Sequence, residues 1–252
     1  MSHFLRVVLA VAIAAGPVVS QESAPSRLPD LPAISGDAAE GVEGLSGPVQ
    51  IVLVLTVLAL APAILMTATS FTRILIVLSF IRRALSVPEL PPNQVLVGIS
   101  LFLTLLVMKP VITDVNDHAL QPYLKKTITL TEAGKVGGDV LSKFLLKQSR
   151  EEDVRLFVEL THEEMPESPE KVPLTVLIPA FALSELRTAF QMGFLIYLPF
   201  LILDLVISSV LLSMGMFMLP PVIISTPFKI LLFVLVDGWD LVVKSLVESF
   251  RL

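Results

Sequence analysis

Long uncharged apolar runs separated by short charged or proline-rich interruptions set the rhythm of this chain, and that rhythm predicts membrane-class helical hairpins. Residues 48–72 carry no charge and are long enough to cross a bilayer as a helix, with Pro62 as the expected kink. Apolar character resumes beyond Arg73 over 74–81, so one long bent helix is expected to reach Arg82-Arg83. The prolines of Val87-Pro88-Glu89-Leu90-Pro91-Pro92 predict a turn, and a second run over 95–108 ends at Lys109-Pro110. Residues 48–112 thus read as a first apolar hairpin.

Residues 113–170 change character. They are polar and charged, and they carry two amphipathic patterns. Val136, Val140, Leu141, Phe144 and Leu145 recur at helical spacing, with Lys135, Lys143 and Lys147 outside the stripe. Val154, Phe157 and Val158 form a second apolar face, preceded by Ser149 and Glu152 as an expected capping box. This segment reads as a small helical insertion in water. From 171 to 252 the chain is apolar again, in runs over 172–184, 188–203, 205–228 and 230–236. Glu185 with Arg187, then Asp204, Lys229 and Asp237, punctuate them. Between the two longest runs lies Ser213-Met214-Gly215-Met216-Phe217-Met218-Leu219-Pro220-Pro221, whose glycine and prolines predict a hairpin tip.

The N-terminal 20 residues read as a secretory signal peptide. His3 and Arg6 precede the apolar stretch 7–15, and Val18-Val19-Ser20 offers small residues for cleavage before Gln21. Residues 21–47, rich in Pro, Gly, Ser and Ala, read as a disordered linker. An exported N-terminus then sets the orientation. Arg73, Arg82 and Arg83 fall on the cytoplasmic side, as the positive-inside rule requires. The polar insertion lies in the periplasm and the Met-rich tip points toward the cytoplasm. Four apolar passes return the C-terminal end to the outside.

Composition narrows the class further. Of 252 residues, 54% are hydrophobic and only 16% charged, against about a quarter charged in soluble domains. The net charge of −5 offers no basic footprint for nucleic acid. There is no cysteine, and His3, His118 and His162 are too far apart for a metal-ligand motif. No Gly-rich phosphate loop or nucleophile elbow appears. The expectation is a chain with no cofactor that is not an enzyme.

Two features remain to carry mechanism. Charges inside apolar helices are costly, by about 3 to over 10 kcal/mol when unpaired. Counted from Phe217, Asp204 and Lys229 lie at similar depth on the two arms of the hairpin, roughly 17–20 Å from the tip at the helical rise, and could meet across it. Glu185 lies further along, where Arg187, Arg150 or another chain would have to meet it. The second feature is the cluster Met214, Met216, Met218 with Phe217. Methionine is flexible and polarizable, so several copies around an axis would form a soft apolar ring able to deform around an unfolded polypeptide. Ordinary packing against neighbouring helices is the alternative, and periodicity does not separate the two.

Several linked motifs resemble the FliP family of type III secretion export-gate subunits. They are Thr69-Ser70-Phe71-Thr72-Arg73-Ile74, Pro91-Pro92-Asn93-Gln94-Val95 and Ser184-Glu185-Leu186-Arg187-Thr188-Ala189-Phe190. Leu203-Asp204-Leu205-Val206, the Met-Gly-x-x-Met-x-Pro-Pro run at 214–221, and Pro227-Phe228-Lys229 followed by Val236-Asp237-Gly238-Trp239 complete the set. The likeness covers roughly 48–250, and the signal peptide with its linker is more similar to the flagellar branch than to the virulence injectisome. It implies an all-α subunit that forms a five-membered ring, assembles with FliQ and FliR into a helical export gate, and is surrounded by FlhA and FlhB with the rod attached outside. That gate would sit in the bacterial inner membrane within the flagellar basal body, passing unfolded flagellar proteins. The resemblance also implies that the apolar helices are largely lifted above the bilayer plane. Met216, Phe217 and Met218 match the family's methionine gasket, in which the middle position is often Met; Phe217 departs from that. Arg150, Glu185 and Lys229 match a salt-bridge network between subunits. A secondary transporter using Asp204 and Lys229 as an ion relay, and an assembly scaffold that never conducts, are the competing readings. The transporter predicts an inverted repeat, and none is evident.

Overall fold

The computed structural model describes residues 47–87, 89–161 and 172–250, which belong to one unit spanning Ala38–Leu252. The signal peptide at 1–20, the linker up to 46 and the end of the polar insertion at 162–170 lie outside the described residues. Among the described residues nine α-helices follow one another: α1 (Gly47–Ala68), α2 (Phe71–Ala84), α3 (Asn93–Val115), α4 (Gln121–Leu124), α5 (Leu130–Gln148), α6 (Glu151–Thr161), α7 (Leu174–Ser213), α8 (Pro221–Leu235) and α9 (Gly238–Glu248). A π-helical turn, Asn116–Leu120, joins α3 to α4. No strand occurs among the described residues, and the protein is all-α.

The spine is α7, whose 40 residues extend about 60 Å at the helical rise. Neither Pro179 and Pro199 nor the charges Glu185, Arg187 and Asp204 interrupt it. Two hydrophobic cores lie along its length. In the first, Ile74, Val77, Leu78 and Ile81 of α2 pack with Leu96 and Val107 of α3, Ala189 and Phe200 of α7, Phe233 of α8 and Leu246 of α9. In the second, Met108 of α3 meets Phe144 and Leu145 of α5, Val158 of α6 and Val176, Leu177 and Phe181 of α7. Leu141, Phe144 and Leu145 of the first amphipathic stripe and Val154, Phe157 and Val158 of the second belong to this core and seat α5 and α6 on the spine, while Val136 and Val140 line a cavity with Pro110 and Val111 of α3. Gly193 lets α2 approach closely, because a Cβ there would stand 2.6 Å from the Phe80 ring. Phe80 also meets Phe190 edge-on, with ring centres 5.6 Å apart.

Three boundaries differ from the sequence expectation. The bend in the first apolar helix falls at Thr69-Ser70, where α1 and α2 meet at 68°, and Pro62 stays inside α1. Hydroxyls explain the position. Thr67 donates to the carbonyl of Ala63 at 2.8 Å, and Thr69 and Thr72 donate to the carbonyls of Leu65 and Met66, drawing backbone acceptors out of the ladder at one point. The second run continues through Pro110 to Val115 and on into the π-helical turn. The capping box lies at the start of α5, where Thr129 and Glu132 cap each other reciprocally. Ser149 instead ends α5, its hydroxyl donating to the carbonyl of Leu145 at 2.7 Å.

Among the described residues two helical stretches, Asn93–Leu124 and Leu174–Ser213, are long and apolar enough to cross a membrane, or three if the bent pair α1–α2 counts as one. The expected fourth pass, α8, has 15 residues and is short for a span.

Candidate functional site: the methionine hairpin and the buried charges beneath it

The hairpin tip is built by two local rules. Met214 caps α7, and Gly215 follows at φ 75°, a backbone angle that favours glycine. The Gly215 N–H donates to the Leu212 carbonyl and the Met216 N–H to the Leu211 carbonyl, each at 3.0 Å. These are the two bonds of a Schellman ending, which closes a helix and turns the chain. Pro221 then opens α8 at the position where a missing N–H costs nothing. Between these stops the chain presents almost bare side chains: Met214 is 67% exposed, Phe217 76% and Met218 96%, with Met216 partly covered.

Below the tip, Lys229 of α8 is 1% exposed. Its Nζ donates to Asp204 Oδ2 of α7 at 2.7 Å and to Ser86 Oγ at 2.8 Å. Ser225, one turn above Lys229, donates to the other Asp204 oxygen at 2.6 Å. The ion pair thus ties both arms to the loop after α2, where Ser86 takes a left-handed backbone angle of 58°. Asp204 and Lys229 do meet across the hairpin.

Glu185 meets neither Arg187, Arg150 nor Lys229. Its partner is Arg73 of α2, which binds both carboxylate oxygens, with Nε to Oε2 at 2.9 Å. Both side chains are nearly fully buried. The remaining Arg73 nitrogen donates to the carbonyl and hydroxyl of Ser249 at 3.1 and 3.0 Å, and the guanidinium lies 3.9 Å from the centre of the Phe250 ring. A planar fork with two carboxylate bonds, a carbonyl and an aromatic face suits arginine and would not suit lysine. Arg73 therefore does not stand in an exposed basic connection with Arg82 and Arg83. It is a structural centre within the helix.

On the opposite side of α7, Arg187 pairs with Asp153 at 3.0 Å and more loosely with Glu152 at 3.6 Å. Ser184 donates to Asp153 at 2.7 Å and accepts the Arg150 N–H at 3.0 Å. The Arg150 guanidinium donates to Gln191 and, at 3.5 Å, to Thr188. Sequence reasoning missed Arg73, Ser86, Asp153, Ser184 and Ser225. Arg73 had a usable signal: like Glu185 it is a lone charge in an apolar run, and such charges pair. The serines had none, because an isolated hydroxyl in a helix is ordinary.

No group of three or more acidic, histidine or cysteine side chains able to hold a metal occurs among the described residues. Ion pairs, hydrogen bonds and apolar contacts are what this arrangement supplies.

Comparison with known proteins places these features in a context. The sequence profile described as the FliP family matches residues 54–246. The flagellar biosynthetic protein FliP of Bacillus subtilis strain 168 is 53% identical over 208 residues, covering 82% of this chain and 94% of that protein. The protein of the same name from Pectobacterium carotovorum is 49% identical over 90% of this chain and 88% of its own. That of Aquifex aeolicus is 46% identical over 88% and 92%.

Proposed function

The chain belongs to the FliP family, and on that premise we propose that it is a core subunit of the flagellar protein-export gate whose Met-rich tip closes the conduit. Copies of the chain would surround an axis as a ring in the bacterial inner membrane, assembled with FliQ and FliR and flanked by FlhA, FlhB and the rod. The helical insertion over 113–170 would face the periplasm. Unfolded flagellar proteins would pass along the axis. The chain would do no chemistry, leaving energy to other components.

The observation that carries this reading is the exposed apolar tip held on arms locked by a partly buried ion pair. Apolar side chains that reach solvent at a turn lower their free energy by meeting other apolar surface. Symmetry would bring identical tips together at one axis. Two methionines flanking Phe217 supply a water-excluding surface, and the unbranched thioethers can move aside for a passing chain. Phe217 is stiffer and makes the middle of the seal less adaptable. The rigid base matters equally, because a seal needs a fixed seat while its tip deforms. The ion pairs of Asp204 with Lys229 and of Glu185 with Arg73 serve that seat from inside one chain.

Deleting 216–218 is expected to leave the purified complex assembled but leaky to small ions in proteoliposomes. A deletion complex as tight as wild type would remove the gasket role.

A further inference from the structure

One buried side-chain polar atom among the described residues finds no hydrogen-bond partner: the Ser70 hydroxyl, at the bend between α1 and α2. Ser70 is 0% exposed within a single chain, and packing copies together only adds cover. The bend has no covalent cause, since Ala68-Thr69-Ser70-Phe71 holds neither glycine nor proline. It shows instead in the hydrogen bonds. Thr67 and Thr69 donate to carbonyls four residues back, as hydroxyls in an unbroken helix do. Thr72 breaks that pattern and reaches six residues back, across the bend, to Met66. In an unbroken helix the Met66 carbonyl faces residue 70 and would take the Ser70 hydroxyl, while Thr72 would turn to Ala68. Straightening therefore satisfies both hydroxyls, and bending leaves one unmet. Packing holds the bend: Ala68, Ser70 and Phe71 are buried, and one turn on, Arg73 closes on Glu185 of α7.

We propose that Thr69-Ser70 is a two-state joint: residues 47–84 enter the membrane as one straight helix and bend there when α7 docks and Arg73 closes on Glu185. Before α7 arrives, a break in the helix would leave backbone groups unmet in hydrocarbon, which a lone apolar segment does not tolerate. A straight helix also lets the uncharged run 48–72 fill the apolar layer while Arg73 emerges into water. Docking reverses the balance. Glu185 gives the arginine a partner, α7 covers the break, and the Met66 carbonyl passes from Ser70 to Thr72. The unmet hydroxyl is the mark of that exchange, and it leaves the bent state dependent on how tightly α2 is held. Neither the ring nor the tip enters, because every bond exchanged lies within one chain.

Spin labels report the joint in the full chain, held in lipid nanodiscs. The protein has no cysteine of its own, so Leu55→Cys on α1 and Arg83→Cys on α2 alone take the labels. These sites lie about 42 Å apart along a straight helix. They come about 7 Å closer under the 68° bend. The labelled chain without further change is expected at the short distance. Glu185→Arg, which repels Arg73, is expected to move most of the chain to the long one. Adding Ser70→Ala removes the unmet hydroxyl from the bent state and is expected to raise the ratio of short to long about tenfold. A Glu185→Arg chain that stays at the short distance overturns the joint, and a ratio unmoved by Ser70→Ala overturns the hydroxyl exchange. If Glu185→Arg does not fold into the discs, amide exchange carries the test. Ser70→Ala alone is then expected to slow exchange at 69–73 about tenfold, and unchanged or faster exchange overturns the joint.

Discussion

Arg73 and Glu185 show how much one buried pair depends on both members. With the two side chains nearly fully buried, removing one strands the other charge in an apolar surround. Arg73→Ala is expected to destabilise the chain by about 3–5 kcal/mol, read as a loss of resistance to unfolding in detergent. Replacing both by apolar residues of similar volume is expected to cost far less, because no unpaired charge remains. Partner identity can be tested by charge reversal. Glu185→Arg with Arg73→Glu is expected to recover much of the stability lost by either change alone. Glu185→Lys with Lys229→Glu is expected to recover none, since Lys229 already serves Asp204 at 2.7 Å. The Asp204–Lys229 pair was legible because both residues sit on the arms of one hairpin and helical rise alone gives their depth. Arg73 and Glu185 are separated by 112 positions, and their meeting depends on how α2 lies against α7.

Among the elements, the joint between α2 and α7 turns on Gly193. A methyl group there would meet the Cγ and Cδ2 atoms of Phe80 at 2.6 and 2.7 Å, in a core too dense to absorb it. Gly193→Ala is expected to cost about 1–3 kcal/mol, and Gly193→Ala with Phe80→Leu to recover part of that, measured by the same detergent unfolding. The start of α5 gives a pH-dependent case. Hydrogen bonds from the Thr129 backbone and hydroxyl hold the Glu132 carboxyl below its ordinary value of 4.5. A lowered carboxyl supports the folded cap while ionised, so its contribution is full above the ordinary value and vanishes as pH falls through the lowered one. Amide exchange in the first turn of α5, corrected for intrinsic rates, is expected to quicken in that acid range, and Thr129→Ala to abolish the change. The cap was misplaced from sequence because Ser149 and Glu152 have the same spacing as Thr129 and Glu132. What decides between them is where each helix starts: α5 opens directly after Thr129, whereas α6 opens at Glu151, one residue too late for Ser149 to cap it. Ser149 is occupied by the preceding helix, its bond running back to Leu145.

Across the whole molecule, α7 belongs to both cores and to the hairpin, so the seat of the tip and the seat of the polar insertion share one rigid rod. The second fixed point is Lys229, which joins α7, α8 and the loop after α2. Lys229→Met is expected to strand Asp204 and free the hairpin arms, seen as faster limited proteolysis at 214–219. Lys229→Met with Asp204→Leu is expected to restore protection, because an apolar pair leaves no buried charge.

Some of this organisation follows from local physics and is legible in the residues alone. The helical class, the polar insertion, the hairpin stop at Gly215 and Pro220-Pro221, and the pairing of Asp204 with Lys229 need only hydropathy, backbone preference and helical rise. The Met-rich tip was the strongest of these signals, since the Schellman ending requires what Gly215 provides. Tertiary structure decided the rest. The burial of Arg73 against Glu185 and Phe250, the second bond of Lys229, to Ser86, and the fit of Phe80 on Gly193 are relations between distant segments. Their energies come from desolvating charges and filling volume, quantities that exist only once α2, α7, α8 and the residues after α9 lie side by side.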